Sequence, residues 1–278
     1  MSSVPMIRFA SRRRPRPITS SRLNLGCGEH RHPDWTNVDL APAGDDVISC
    51  DLRQPLPFPS ESFTAAYAAH VLEHLAPIEA RRLLGEMRRL LASGGIVRIV
   101  VPDLEGIVRA YLTSLEQAAA SPTPDRRWQH RWMTVELLDQ LVRGRSGGAM
   151  RRWWSCEPVP CREFIESRLG QEAARGIAAL AAHRELHAEP LMPPGEILLA
   201  EPPSPREVAR FEARGERHRW MYDRISLADL LVEAGFTDVR QTDAVTSRIP
   251  DFAAARLDAD ESGRPRKPDS LYLEGVKT

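Results

Sequence analysis

Residues 22–40 read RLNLGCGEHRHPDWTNVDL, and they decide the fold of this 278-residue chain. Alternating leucines predict a short strand over 22–25, which runs directly into Gly26-Cys27-Gly28. A strand that turns at glycines lets backbone amides approach a ligand, because no Cβ stands in the way. A second predicted strand, 36–40, carries Asp39 at its end. The glycine turn alone is weak evidence for a ligand site, since many such turns only reverse the chain.

The spacing around this turn argues against a dinucleotide site. A dinucleotide fingerprint needs a third glycine, a helix N-terminus for the pyrophosphate and an acid about 20 residues further on. Here Arg31 stands at the third glycine position, and Asp39 follows Gly28 by only 11 residues. A single nucleoside without phosphate suits this spacing better, with the Asp39 carboxylate accepting hydrogen bonds from ribose hydroxyls. The alternative for Asp39 is a surface acid that ends a strand.

Short strands and helices continue to alternate up to residue 110. An apolar stripe from Ala80 to Leu91 predicts a helix that Ser93-Gly94-Gly95 stops, and a second helix begins at Leu104. This alternation predicts a parallel sheet with both faces covered. The further predicted strands of this part are 46–50, 63–69 and 96–101.

The pattern changes over residues 111–218, which hold four of the six tryptophans of the chain. Helical stretches broken by prolines predict a mainly helical insertion. Its tryptophans either pack against the parent domain or line a cap over the substrate.

The α/β pattern returns over 219–278. The spacing of Ser226 and Asp229 predicts a capped helix that Gly235 ends. A weak strand at 237–242 and a last strand at 271–276 predict a hairpin, joined by an exposed loop at 255–269.

The composition is that of an ordinary soluble protein. Hydrophobic residues make up 42% and charged residues 27%, and Lys+Arg equal Asp+Glu at 38 each. No net field therefore favours nucleic acid or membrane as a partner. We expect residues 1–20 to form a disordered basic tail, because they are arginine-rich and lack an apolar signal segment. The absence of such a segment predicts a cytoplasmic protein, and the four cysteines are expected to be free thiols.

Four motifs stand in the order and spacing of class I S-adenosylmethionine-dependent methyltransferases, which the chain resembles. They are LNLGCG at 23–28, NVDL at 37–40, DLRQPLPF at 51–58 and HVLEHL at 70–75. The resemblance covers about 20–110 and 219–277, and the segments 132–148 and 216–236 are similar to a bacterial subgroup often associated with polysaccharide or secondary-metabolite pathways. It implies a Rossmann-like, doubly wound, mostly parallel seven-stranded sheet with a C-terminal antiparallel hairpin, and S-adenosylmethionine as cofactor.

The resemblance also implies which residues contact the cofactor. The two glycines would lie against the methionine part, Asp39 would bind ribose, and His70 would sit beside the sulfonium. Asp51 would hold adenine with Leu52 over the ring, although a loop cap is the alternative for Asp51. Asn24 stands where many members carry an acid. The implied set is Asn24, Gly26, Cys27, Gly28, Asp39, Leu40, Asp51, Leu52 and His70.

Three residues are candidates for a catalytic base, because ligands of open α/β sheets bind beyond the carboxyl ends of the strands. His70 follows the fourth strand, Asp103 follows the fifth, and His218 stands where the insertion rejoins the core. The alternative is a backbone hydrogen bond for His70, a helix cap for Asp103 and a surface position for His218. No metal is expected, since HRELH at 183–187 lacks a third ligand and reads as a solvated helix.

These patterns predict an enzyme, a methyltransferase of class EC 2.1.1.-. The expected acceptor is a small molecule or a glycan-like compound, and the group expected to be methylated is a hydroxyl. N- or C-methylation of a metabolite or peptide is one alternative, and a non-catalytic cofactor-binding partner subunit is another. We expect neither a nucleic-acid nor a membrane partner, and the sequence leaves the oligomeric state open.

Overall fold

A computed structural model describes residues 18, 20–42, 44–188 and 190–278, so nearly all of the basic tail predicted over 1–20 lies outside the described residues. Seven strands form one sheet in the order β3-β2-β1-β4-β5-β7-β6. Strands β1 to β5 run parallel, whereas β7 is antiparallel to both β5 and β6. The strands are β1 Arg22–Leu25, β2 Thr36–Asp39, β3 Val47–Ser49, β4 Phe63–Ala69, β5 Leu91–Pro102, β6 Thr237–Gln241 and β7 Ser270–Val276.

The helices lie between β4 and β5 and after β5. The α2 helix crosses the domain boundary predicted between residues 110 and 111. In the described part of the chain, no helix combines the length and apolar character needed to cross a membrane. The helices are α1 Pro77–Leu90, α2 Leu104–Ala120, α3 Pro124–Val142, α4 Gly148–Trp154, α5 Arg162–Leu169, α6 Gln171–His187, α7 Pro205–Arg214, α8 Arg224–Glu233 and α9 Phe252–Ala255, with 3₁₀ turns at Leu72–His74 and Pro194–Glu196.

The two faces of the sheet are covered in different ways. Leucines of α1 and α8 pack against one face together with Leu23 and Leu25. On the other face Trp35 makes edge contacts with Tyr67 and Phe252, each at a centroid distance of 6.1 Å. Trp35 belongs to the short link between β1 and β2, in which the described residues form no helix. The predicted sheet and its C-terminal hairpin are confirmed.

Arg98 of β5 pairs with acidic residues of the C-terminal segment on the face of the sheet that Trp35 covers. Its side chain is fully buried and lies between Asp258, at 2.8 Å, and Glu274, at 2.9 Å. Asp258 also accepts a hydrogen bond from the hydroxyl of Tyr67. A buried charge is tolerated only when it is paired and hydrogen-bonded, so this network fixes the segment before β7 against the sheet.

The segment α2–α7 forms a helical cluster with its own core. Trp132 and Trp153 are buried there, with ring centroids 5.5 Å apart. The chain then returns to the sheet through backbone hydrogen bonds. The amide of His218 donates to the carbonyl of Gln140 in α3, and the amide of Arg219 donates to the carbonyl of Glu73 at 2.6 Å.

Three local predictions are wrong. Helix α1 ends at Leu90 rather than at the glycines, because Leu91 already pairs with Phe63 of β4. Helix α8 begins three residues earlier than expected, because Asp223 accepts hydrogen bonds from the amides of Ile225 and Ser226 and is the true cap.

The third error concerns the loop predicted to be exposed over 255–269. Leu257, Asp258 and Ala259 are buried, at 4%, 5% and 7% exposure. The charge that suggested a surface position is neutralised by Arg98, which lies 160 residues away in sequence.

Candidate functional site

A cavity of about 210 Å³ opens at the carboxyl ends of β1 and β4, and we call it the glycine-loop cavity. Gly26 to His30 form one wall, and His70 stands at the end of β4. The segment before β7, residues 256–269, closes the remaining side. Because the cavity lies at the carboxyl ends of parallel strands, it is where parallel-sheet proteins bind ligands. Its lining residues are Asn24, Gly26, Cys27, Gly28, Glu29, His30, Tyr67, Ala69, His70, Val100, Leu257, Asp258, Arg266, Lys267, Ser270 and Tyr272.

A side chain is disfavoured at the two loop glycines on different structural grounds. Both have positive φ, 66° at Gly26 and 50° at Gly28. A Cβ on Gly26 would lie 2.4 Å from Cγ2 of Val71, whereas a Cβ on Gly28 would meet nothing within 4 Å. Gly26 therefore permits close packing against Val71, and Gly28 leaves space open.

The carboxylate of Asp39 is hydrogen-bonded to the glycine loop. Its Oδ2 accepts a hydrogen bond of 2.9 Å from the amide of Gly28, and its Oδ1 accepts one of 2.9 Å from the amide of Ala41. Each carboxylate oxygen has a second lone pair, so ribose hydroxyls can still bind here. Leu40 is 44% exposed beside it. Neither residue lines the glycine-loop cavity itself.

The carboxylate of Asp51 is paired with the side chain of Arg53. Nε and Nη2 of Arg53 donate to its two carboxylate oxygens at 2.8 and 2.9 Å. These hydrogen bonds lower the pKa of Asp51. Leu52 packs on the main core, and its Cδ1 is 3.9 Å from the Cβ position of Gly26. Asp51 and Leu52 thus lie beside the loop but outside the glycine-loop cavity.

Asn24 holds the loop by its side chain. Its Nδ2 donates to the carbonyl of His30 at 2.9 Å and to Oδ1 of Asn37 at 3.0 Å. The side-chain amide is therefore already used within the protein, although the residue lines the cavity. Cys27 is 5% exposed, and burial followed by the charge of Asp39 raises the pKa of its thiol to about 11.

His70 occupies a strained position at the end of β4. Its φ of 53° lies in the left-handed region, which costs a non-glycine residue roughly 1–3 kcal/mol. The ring nitrogens are held from both sides, with Nε2 3.0 Å from Oγ of Ser270 and Nδ1 3.2 Å from Oε1 of Glu73. The second contact is an ion-pair distance without the alignment of a hydrogen bond. Backbone strain of this kind clusters at functional sites.

Glu73 is a fully buried carboxylate next to three imidazoles. Burial alone raises the pKa of this group, but the neighbouring His70, with further contributions from His74 and His218, outweighs burial and lowers the pKa to about 2. Burial lowers the pKa of His218 to about 3, which Glu73 only partly offsets. At neutral pH the carboxylate is therefore ionised and the His218 ring is neutral.

A second cavity of about 340 Å³ lies on the other side of His70, and we call it the insertion cavity. His70 and Lys267 line both cavities, so the two spaces meet at these side chains. Most of its wall is formed by helices α3 to α6 and by the return segment, residues 215–223 between α7 and α8. Its lining residues are His70, Glu73, His74, Pro102, Gln140, Arg143, Ser146, Gly147, Met150, Arg151, Trp154, Leu169, Glu172, Glu216, His218, Lys267 and Asp269.

The three candidate bases are placed very differently. His70 lines both cavities, and His218 is buried in the wall of the insertion cavity. Asp103 lines neither. Its carboxylate packs over the first turn of α2, where Oδ2 lies 2.8 Å from the Cβ position of Gly106. Geometry thus favours His70 over the other two.

Sequence reasoning missed the residues that the segment before β7 contributes. Arg266 and Lys267, within the stretch predicted to be exposed, and Ser270, at the start of β7, line the glycine-loop cavity. Lys267 is paired at 2.8 Å with Glu172 of α6. No local pattern signals these residues, because their placement depends on the Arg98–Asp258 contact across the sheet.

Comparison with known proteins gives one family match. Residues 23–99 match the family model described as a methyltransferase domain. No curated protein matches.

Several solved structures are similar over most of the chain at low identity. A protein from Thermotoga maritima, described as a methyltransferase dependent on S-adenosylmethionine and a possible histamine N-methyltransferase, is 12% identical with a TM-score of 0.39, covering 92% of this chain and 81% of that chain. A methyltransferase from Archaeoglobus fulgidus is 12% identical at a TM-score of 0.38, covering 94% and 87%. One from Mesorhizobium loti is 17% identical at 0.36, covering 94% and 93%.

Proposed function

We infer that the chain belongs to the class I S-adenosylmethionine-dependent methyltransferase superfamily, and we propose that it methylates a hydroxyl of a polar small-molecule or glycan-like acceptor. S-adenosylmethionine is its cofactor. The observation that carries the proposal is that two cavities meet at His70, one beside the glycine loop and one lined by the helical insertion. Methyl transfer needs such a junction, because cofactor and acceptor must approach in line.

The residues of the glycine-loop cavity fit this cofactor. Gly28 leaves open space where any side chain would project, and the chain offers no phosphate-binding helix after β1 among the described residues. Glu29 can take the ammonium of the methionine part, and Arg266 with Lys267 can take its carboxylate. Asp39 would bind the ribose. Asp51 accepts three hydrogen bonds from Arg53, two on Oδ1 and one on Oδ2, so Oδ2 keeps a lone pair for the adenine amino group.

The cofactor, when bound, supplies a methyl group already activated by the positive sulfur. The protein must orient the acceptor, and positioning of this kind contributes roughly 7–11 kcal/mol in favourable cases. A hydroxyl acceptor must also lose its proton, and a positioned base adds about 10²- to 10⁴-fold. Nε2 of His70 accepts that proton at the site where it now contacts Oγ of Ser270.

Glu73 supports His70 in this role as a positioning residue. Its carboxylate lies 3.2 Å from Nδ1 and is wholly shielded from water. When His70 gains a proton at Nε2, the negative charge of Glu73 stabilises the resulting imidazolium. The same logic relates the carboxylate and the histidine of hydrolase triads.

The insertion cavity supports a polar acceptor. Arg143, Arg151 and Glu216 offer hydrogen-bonding groups, and Trp154 offers an aromatic face with an Nε1 that has no partner among the described residues. Sugars and other polyhydroxylated compounds use both kinds of contact. An acceptor held there reaches the cofactor past His70.

The test is transfer of labelled methyl groups to matched hydroxyl and amine acceptors of similar size, including mono- and disaccharides. We expect label on oxygen, stable to conditions that cleave methyl esters. Label found only on nitrogen or carbon would replace the hydroxyl proposal with one of these alternatives. Cofactor binding without transfer to any acceptor would favour a partner subunit.

A further inference from the structure

Three potential metal ligands meet in the wall of the insertion cavity. Single ligand atoms of Glu73, His74 and His218 all lie within 4.8 Å of one another. Glu73 and His218 are buried, at 0% and 5% exposure. Nδ1 of His74 and Oε2 of Glu73 lack a hydrogen-bond partner in the described part of the chain, and Oε1 of Glu73 has the 3.2 Å ion-pair contact with Nδ1 of His70. A buried polar group without a partner requires an explanation, and a bound ion is a common one.

We propose that Glu73, His74 and His218 bind a divalent transition-metal ion, with Zn²⁺ as the reference ion. Two imidazoles and one carboxylate are a donor set that suits zinc or iron, whereas Mg²⁺ and Ca²⁺ prefer oxygen ligands. Three protein ligands also leave a coordination position open, as in catalytic rather than structural zinc sites.

The backbone already holds the two halves of this cluster together. Glu73 and His74 belong to the 3₁₀ turn after β4, and His218 belongs to the return segment. The amides of Arg219 and Trp220 donate to the carbonyl of Glu73, at 2.6 and 3.3 Å. The rings of His74 and His218 are in edge contact at a centroid distance of 4.7 Å.

Only side-chain rotations are needed to complete the site. Ligand atoms about 2.1 Å from a tetrahedral ion lie roughly 3.4 Å apart. The present separations of up to 4.8 Å therefore close by about 1.4 Å or less when the ion binds. Glu73 can serve both the ion and His70, because a carboxylate has two oxygens with several lone pairs.

The charges around the cluster favour a cation. Apart from Glu73, three carboxylates of the insertion cavity, at Glu172, Glu216 and Asp269, balance three cations, at Arg143, Arg151 and Lys267, so the ligand Glu73 supplies the net negative charge. Lys267 is already paired with Glu172. An ion at the cluster would face the cavity with its open position and would bind an oxygen of the acceptor there. That last role rests on the proposed function, whereas the metal site itself does not.

A second histidine pair must be removed from the test. His183 and His187 of α6 have ring centroids 4.3 Å apart and could bind Zn²⁺ by themselves. A variant with His183→Ala and His187→Ala therefore serves as the background for every measurement. His218→Gln and His74→Asn are added to it singly.

The experiment is calorimetric titration of Zn²⁺ and Mg²⁺ into chelator-treated protein. We expect one Zn²⁺ per chain in the background variant and at least one in the wild type, with no Mg²⁺ binding. Each added substitution should weaken Zn²⁺ binding by at least about 100-fold, since even outer-shell partners of a metal contribute about 10- to 100-fold. Loss of all binding in the background variant, or unchanged binding in both added variants, overturns the proposal, as does a wild type that takes up no Zn²⁺.

Co²⁺ absorption of the background variant covers the case in which the added variants fail to fold. Visible d–d bands without a thiolate charge-transfer band support ligation by His74, His218 and Glu73. A thiolate band places the ion on a cysteine and overturns the assignment. Calorimetry of S-adenosylmethionine with the metal-free protein separates this inference from the proposed function, because the cofactor contacts that we propose involve none of the three ligands.

Discussion

The guanidinium of Arg98 lies 2.8 Å from the carboxylate of Asp258, which follows it by 160 residues in the chain. This contact brings the segment before β7 over the glycine loop. Because Leu257, Asp258, Arg266 and Lys267 all line the glycine-loop cavity, the shape of the proposed cofactor site depends on this ion pair.

Replacement of Asp258 by alanine should therefore affect both stability and cofactor binding. Removing one partner of a buried ion pair costs about 3–5 kcal/mol, because it leaves the other charge uncompensated. Since Glu274 still faces Arg98, we expect the lower end of that range in urea unfolding. Asp229→Ala, at an exposed position of α8, is the control and should change the free energy of unfolding by less than about 0.5 kcal/mol. Equal effects of the two substitutions would contradict the role of the pair.

The two loop glycines should respond differently to alanine. Gly26→Ala places a Cβ against Val71 in a backbone with positive φ, and we expect a loss of stability well above the roughly 1–2 kcal/mol of left-handed strain. Gly28→Ala carries the strain without the clash, but its methyl group enters the space open to the cofactor. It should mainly raise the dissociation constant of S-adenosylmethionine. Thermal unfolding and calorimetry on both variants distinguish the two effects, and the reverse ranking would contradict the loop geometry.

The thiol of Cys27 should be protonated throughout the neutral range, because burial raises its pKa to about 11. The thiolate is the reactive form, so alkylation of Cys27 should be slow at pH 7.5. Its rate should rise by about tenfold per pH unit up to pH 10, since the thiolate fraction grows at that rate below the pKa. Mass spectrometry after timed iodoacetamide treatment follows the residue, with urea-unfolded protein as reference. Rapid alkylation of the folded protein at pH 7.5 would show that the thiol is ionised.

Substitution at His70 should separate catalysis from cofactor binding. His70→Ala should lower kcat by at least about 100-fold with little change in cofactor affinity, because the base acts only in the chemical step. Asp103→Asn should lower kcat by less than about fivefold, since Asp103 lines neither cavity and a side chain outside them makes no contact in the transition state. A large effect of Asp103→Asn with a small effect of His70→Ala would exchange the roles of the two residues.

Local sequence patterns predicted the parts of this fold that depend on local interactions. Strands β1 and β4 have the predicted bounds, and the glycine loop, the last hairpin and the class of the sheet follow from alternation and turn residues. Of the parts that failed, the start of α8 depends on the local cap Asp223, and the other two depend on distant partners. Burial of Asp258 follows from Arg98, and no alternation of apolar residues records such a pair.

The same division applies to the site. The sequence identified His70 because it follows a strand, and it treated HVLEHL as one motif of a family. It predicted no metal, because HRELH lacks a third ligand. The proposed cluster gives no local signal, since Glu73 and His74 stand 144 or more residues from His218. Only the return of the chain after α7 places His218, the third proposed ligand, beside Glu73 and His74.

Calorimetric titration of S-adenosylmethionine and NAD tests the central claim most directly. We expect one S-adenosylmethionine site per chain, weakened at least about tenfold by Asp39→Asn, and no heat from NAD. Heat from NAD with none from S-adenosylmethionine would contradict it.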